Sequence, residues 1–122
     1  SDLDDGSNIV VVGAGFVGLE VVGELLDALK FYGKRASISV VELANSILST
    51  YPNEMARGIA FDYFSKKGVK FVLGQSVKLL QRDKVVFANN NSIESDLTLW
   101  AAGIKSSNLS SYVRGLNFSK AI

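Results

Sequence analysis

Three glycines spaced G-x-G-x-x-G, Gly13, Gly15 and Gly18, constrain this chain more than any other feature. They follow a continuous apolar run, Ile9 to Val12, and lead straight into a segment where Val22, Leu25, Leu26 and Leu29 recur at helical spacing. A buried strand turning directly into a helix is the opening of a βαβ unit, and each glycine has a physical reason in it. Gly13 lets the chain turn tightly, Gly15 removes the side chain that would hold a pyrophosphate away, and Gly18 lets the helix pack close on the strand. The unpaired N–H groups of the first helical turn and the positive end of the helix dipole then face the anion. That attraction is worth roughly 0.3–1 kcal/mol per charge at an exposed site.

The next segments extend the same pattern. Gly33 marks the end of the first helix, and residues 37–43, S-I-S-V-V-E-L, form a short β-branched strand. Its last polar residue is Glu42, in the window of roughly 20 residues beyond the glycines where a dinucleotide site places an acid against the adenosine ribose. A carboxylate there repels a 2′-phosphate. The following Leu43, Ala44, Asn45 and Ser46 supply no cation to neutralise one, while Lys34 and Arg35 lie at the opposite end of the strand. The pattern therefore favours NAD(H) over NADP(H). Pro52 suits the first position of a second helix, running to Lys67, with Met55, Ile59, Phe61, Tyr63 and Phe64 as its apolar contacts and Gly68 as its stop. Gly58 inside that helix costs about 1 kcal/mol relative to alanine, and close packing would be a reason for it.

Residues 69–73 read as a third strand, so strand, helix, strand, helix, strand predicts a parallel sheet with right-handed crossovers. The rhythm then changes. Residues 77–80, residues 85–88 and a weak strand at Ile93 are short and separated by R-D-K and N-N-N-S turns, which suit an antiparallel meander in place of another crossover helix. Residues 97–101 return to a buried strand ending in W-A-A-G, and a short helical turn is expected near residues 109–114. Trp100 is expected to fill the core, as large aromatics at strand ends commonly do. The fold class expected is α/β, a Rossmann-like parallel sheet with helices on both faces and a β-meander in place of one crossover helix.

Composition narrows the chemistry. The 122 residues carry 13 basic and 12 acidic side chains, a net charge of +1, which offers no footprint for nucleic acid or an anionic membrane surface. Neither cysteine nor histidine occurs, which excludes a disulfide framework, a thiol nucleophile, the usual Cys/His zinc site and a Ser-His-Asp triad. No apolar run approaches the roughly 20 residues that span a bilayer. Residues 1–7 are acidic and small, unlike a secretory signal, and are expected to be a linker or tag remnant. The absence of a leading Met suggests a processed or excised chain.

With these elements in place the chain resembles the NAD-binding domain of the two-dinucleotide flavoprotein reductases, or pyridine nucleotide-disulfide oxidoreductases. V-V-V-G-A-G-F-V-G-L-E, V-V-E-L with a following I-L, and L-T-L-W-A-A-G-I-K carry the resemblance, over about residues 8–105. The tryptophan before A-A-G, with G-V-K-F after an aromatic helix, is most similar to the type II NADH dehydrogenase branch. The resemblance implies an NAD(H) domain at residues 8–105 inserted in an FAD-binding domain, with residues 106–122 leading back to that missing domain and quinone as acceptor. Gly13, Ala14, Gly15, Phe16, Val17 and Gly18 match the family's pyrophosphate turn, and Glu42, with Leu43 beside it, matches the ribose acid. Ala102 and Gly103 match a second small-residue turn that the cofactor backbone passes. Glu20 matches an acid near the nicotinamide, and Val77 is a weaker match to residues on the adenine side. A soluble fragment, inactive alone, of a cytoplasmic or membrane-peripheral parent is implied. Other acceptors, as in NADH oxidases and disulfide reductases, and a non-catalytic NADH sensor stay open, and an FAD-binding half is disfavoured by the meander.

Overall fold

The computed structural model describes residues 6–103. The first strand, β1 (Ser7–Val12), is almost wholly buried, and Ser7, expected in the linker, is its first and buried residue. Helix α1 (Phe16–Tyr32) follows the glycine turn and ends on Gly33, whose φ of 63° closes it in the left-handed conformation. Strand β2 (Ala36–Glu42) pairs in parallel with β1, Val11 opposite Val40. Helix α2 (Glu54–Lys66) leads to strand β3 (Lys70–Leu73), which pairs in parallel with β2.

Helix α2 starts later than the sequence pattern predicts. Asn53 is its N-cap, with Oδ1 accepting the Ala56 N–H at 3.0 Å, so Pro52 lies outside the helix rather than at its first position. The side chain that satisfies an orphan N–H fixes the boundary, and a cap of this kind contributes about 1 kcal/mol.

The remaining strands are β4 (Val77–Leu80), β5 (Lys84–Phe87), β6 (Ser92–Glu94) and β7 (Leu97–Trp100). Strands β4, β5 and β6 form the expected antiparallel meander, whereas β7 crosses back to pair in parallel with the far side of β1. The main sheet thus runs β3-β2-β1-β7. The helix expected near residues 109–114 lies outside the described residues.

Two apolar layers hold the sheet. Ile9 and Val11 of β1, Ile38 and Val40 of β2 and Leu99 of β7 face α1, which contributes Val17, Val21, Val22, Leu25 and Leu29; Ala60 and Phe64 of α2 join the same layer. Alternate residues Val10, Val12 and Val41 face the meander and pack on Val85 and Phe87. The Rossmann-like architecture is as expected, with two amendments. Among the described residues both helices share one face, and the meander covers the other. Two right-handed crossovers that step in the same direction, β1 to β2 to β3, must put their helices on the same side.

The second amendment concerns α2. Phe64 packs on the core and Phe61 stacks on Phe71 with ring centroids 5.1 Å apart, but Met55, Ile59 and Tyr63 are 76%, 65% and 55% exposed. Strand β3 is a four-residue edge strand, and so small a surface covers only a narrow side of the helix. Close packing does not account for Gly58 either, because a Cβ built there meets no atom within 4 Å. Gly58→Ala is therefore expected to stabilise the chain by about 0.5–1 kcal/mol, since helical backbone is gained without a clash. Urea unfolding of the two chains measures it, and destabilisation would show that the glycine has a packing role.

Candidate functional site

The carboxyl ends of β1, β2 and β7 lie side by side in the parallel sheet, where β1 passes into α1 on one face and the meander covers the other. Such a point leaves a crevice between neighbouring strand ends, where α/β sheets bind ligands. Here the crevice has two lobes sharing Gly13, Glu42 and Ala102. One, about 310 Å³, is lined by Gly15, Phe16, Val17, Gly18 and Gly103 at the start of α1. The other, about 250 Å³, lies between Leu43, Gln75, Ser76, Val77 and Trp100.

Backbone contacts make the crevice rigid. The Gly13 N–H donates to the Val41 carbonyl at 2.8 Å, and the Ala101 and Ala102 N–H groups both donate to the Val12 carbonyl, at 2.8 and 3.0 Å. Gly13 has φ of 112°, and a Cβ on it would lie 2.8 Å from the Ala102 nitrogen, so the first and last turns of the sheet edge touch backbone to backbone. Gly18 is more restricted still, because its Cβ would stand 1.9 Å from the Gly13 carbonyl oxygen. Both glycines are demanded by the protein itself.

Gly15 is different. It is the N-cap of α1, at φ −81° and ψ −171°, a backbone any residue adopts, and a Cβ on it would meet no atom within 4 Å. No side chain caps the helix, and Gly15 itself is exposed beside the first lobe. Nothing in the described protein requires a glycine there.

Glu42 ties the two lobes together. Its Oε1 accepts the Ala14 N–H at 2.8 Å and its Oε2 accepts the Ala44 N–H at 2.8 Å, so one carboxylate clamps the glycine turn to the loop after β2. Each carboxylate oxygen can accept a further hydrogen bond, and Glu42 lines both lobes. Among the described residues Glu42 is also the only charged one lining either lobe.

Ten of the twelve residues picked out in the sequence line this crevice: Gly13, Gly15, Phe16, Val17, Gly18, Glu42, Leu43, Val77, Ala102 and Gly103. Ala14 does not. It is fully buried, its N–H is held by Glu42, and its carbonyl accepts the Leu48 N–H at 2.8 Å, so it fastens the turn from behind. Glu20 is exposed and falls in the second turn of α1, outside both linings.

Gln75, Ser76 and Trp100 line the crevice without having been picked out as site residues. Gln75 and Ser76 follow the carboxyl end of β3, the position from which loops of a parallel sheet reach a ligand, so strand order alone could have pointed to them. Trp100 corrects the expectation that it fills the core, since it is 47% exposed. It shares the face of its register partner Val12, but it stands at the very end of β7.

The chain is similar to known proteins over most of its length. A family model described as pyridine nucleotide-disulphide oxidoreductase matches residues 1–121. The chain is 32% identical to a type II NADH:quinone oxidoreductase of Staphylococcus saprophyticus, over 83% of this chain and 27% of the relative. It is also 32% identical to the mitochondrial internal alternative NAD(P)H-ubiquinone oxidoreductase A1 of Solanum tuberosum, over 92% of this chain and 23% of the relative. Among solved structures, a NAD-dependent persulfide reductase from A. fulgidus superposes with a TM-score of 0.63 at 27% identity, covering 88% of this chain and 20% of that one. The chain thus spans about a quarter of the length of the curated relatives it matches.

Proposed function

This chain belongs to the pyridine nucleotide-disulphide oxidoreductase family, and from that premise we propose that it is the NADH-binding part of an FAD-dependent NADH dehydrogenase, with a quinone as the final acceptor. The observation that carries the reading is Gly15. A glycine that neither backbone angle nor neighbour requires, on a bare helix N-terminus beside an open lobe, is accounted for by a ligand whose phosphates approach the main chain there. Gly13 and Gly18 shape the turn, and Gly15 leaves room for the guest.

In this reading the residues divide the cofactor between the lobes. Gly15, Phe16 and Val17 hold the pyrophosphate, and the free lone pairs of Glu42 accept the ribose hydroxyls. Leu43 and Val77 flank the adenine side, and the Ala102–Gly103 turn passes the remaining chain toward the nicotinamide. Glu20 belongs with the nicotinamide end by family resemblance alone. When bound, NADH supplies a hydride to a flavin. The chain's own contribution is orientation, because among the described residues no Lys, Arg, Asp or second Glu lines the crevice to move a proton. With no cation among the described lining residues, a 2′-phosphate would stand beside the Glu42 carboxylate uncompensated, which favours NADH over NADPH.

The quinone acceptor rests on the relatives named as quinone oxidoreductases. The FAD-binding domain would be another part of the same parent chain. Among the described residues no helix is long and apolar enough to cross a membrane, and a membrane-peripheral parent is part of the proposal.

Calorimetric titration tests the reading. The chain should bind NADH more tightly than NADPH and turn over neither alone. Gly15→Ala should weaken NADH by about tenfold or more while unfolding within about 0.5 kcal/mol of the parent. Tighter binding of NADPH, or no binding of either nucleotide, would overturn the assignment.

A further inference from the structure

We infer that Trp100 is a binding residue, whose indole forms the wall on which the adenine of the dinucleotide rests. The inference builds on the NADH reading above and adds a residue to its adenine end. The two lobes of the crevice differ in chemistry. The first is built from glycines and the start of a helix and suits an anion. The second presents Leu43, Val77 and Trp100 with two uncharged polar side chains, Gln75 and Ser76, and among the described residues its only charge is Glu42 at the boundary. A phosphate gains nothing in that second lobe, but a flat heterocycle does, with apolar faces to lie against and uncharged hydrogen-bonding groups at its edge.

Trp100 suits that task and no structural one evident in the fold. The meander covers Val10 and Val12 on its face, yet Trp100 remains about half in water, with Leu43 70% exposed on the other side of the same lobe. A chain leaves so large an apolar side chain at the mouth of a cleft at a cost in unburied surface. A base laid against the indole would cover it. Glu42 lines both lobes, with Gly13 and Ala102, and so stands where the ribose would link base to phosphate.

Trp100 is the only tryptophan of the chain, so its fluorescence reports this lobe alone. ADP-ribose serves as the probe, because it carries the adenine, ribose and pyrophosphate without the nicotinamide whose absorption would itself drain tryptophan emission. Its binding is first established by calorimetry, and collisional quenching of Trp100 by acrylamide is then measured with and without it. Bound ADP-ribose should cut the quenching constant at least about twofold. Trp100→Phe should retain affinity within about threefold, whereas Trp100→Ala should lose about tenfold, the effect of removing an aromatic platform from a base.

ADP-ribose that binds while leaving quenching unchanged would overturn the role of Trp100 and leave the nucleotide site standing. Affinity in Trp100→Ala equal to that of the parent would do the same. Binding of NADH without binding of ADP-ribose would remove the adenine from this lobe. Failure of both nucleotides to bind would bring down the NADH reading together with the inference.

Discussion

Gly18→Ala is expected to destabilise this chain by about 3 kcal/mol or more and to abolish nucleotide binding with it. A methyl group there would stand 1.9 Å from the Gly13 carbonyl oxygen and 2.8 Å from the Gly13 carbonyl carbon. Both are backbone atoms, so no side-chain rotation relieves the contact. Either α1 moves away from the sheet or the turn at Gly13 opens. Moving α1 disturbs the layer in which Val22 and Leu25 are completely buried. Opening the turn breaks the Gly13 N–H bond to Val41 and the close approach of Gly13 to Ala102. Each route gives up core packing that interiors at crystal-like density cannot easily replace. Denaturant unfolding measures the loss, and a stability within 1 kcal/mol of the parent would show that the turn can relax in a way its geometry here does not suggest. Gly15→Ala, two residues into the same motif, is the contrast: binding should fall while stability stays.

Glu42→Ala should act on stability and on recognition together. It strips the acceptor from the N–H groups of Ala14 and Ala44 at a partly buried strand end. Hydrogen bonds to a charged group contribute about 1.5–3 kcal/mol each, less where water can replace them. A loss of about 2–4 kcal/mol is therefore expected for the pair, with NADH affinity reduced about tenfold because the glycine turn loses its clamp. The separate question of ribose recognition is answered by Glu42→Gln. The amide keeps the shape and one acceptor but removes the negative charge, so the preference for NADH over NADPH should shrink even where the fold is largely kept. An unchanged ratio of the two affinities in Glu42→Gln would confine Glu42 to its clamping role.

The clamp illustrates how one residue carried information that only part of the sequence made legible. The position of Glu42 at the end of a β-branched strand, a set distance beyond the glycines, marks it as a candidate for the ribose. Nothing in that spacing says that both carboxylate oxygens would be engaged by the backbone of Ala14 and Ala44. Ala14 shows the reverse case. It sits inside the motif and was counted with the site, yet its side chain is buried and its backbone groups are both used to fasten the turn. Motif membership describes the local path of the chain, and the direction of each group within it depends on what is packed around the turn.

The local signals were the reliable ones. A continuous apolar run, helical periodicity, Gly33 and Gly68 beyond the helix ends, and the short turns of the meander each act over a few residues. The sheet, the two helices and the three-stranded meander appear accordingly. Long-range consequences were harder. Met55, Ile59 and Tyr63 have the composition of a core face, but the strand beneath α2 is four residues long and lies at the sheet edge, so there is too little surface to bury them. The exposure of Trp100 likewise depends on where the meander stops, which no property of Trp100 or its sequence neighbours encodes.

By itself, then, the sequence determined the strand–turn–helix, the alternation that demands a parallel sheet, the acid at the end of β2 and the absence of every cysteine- or histidine-based chemistry. These follow from backbone sterics and from periodicities of 3.6 and 2 residues, which operate within one element or between neighbours. Only the tertiary structure decided that both described helices share a face, that the crevice has an anion-suited lobe and an apolar lobe, and that Trp100 opens onto the second. Those depend on which strand ends meet and what covers them, and such meetings join residues up to 90 positions apart, as in the hydrogen bond from the Ala102 N–H to the Val12 carbonyl.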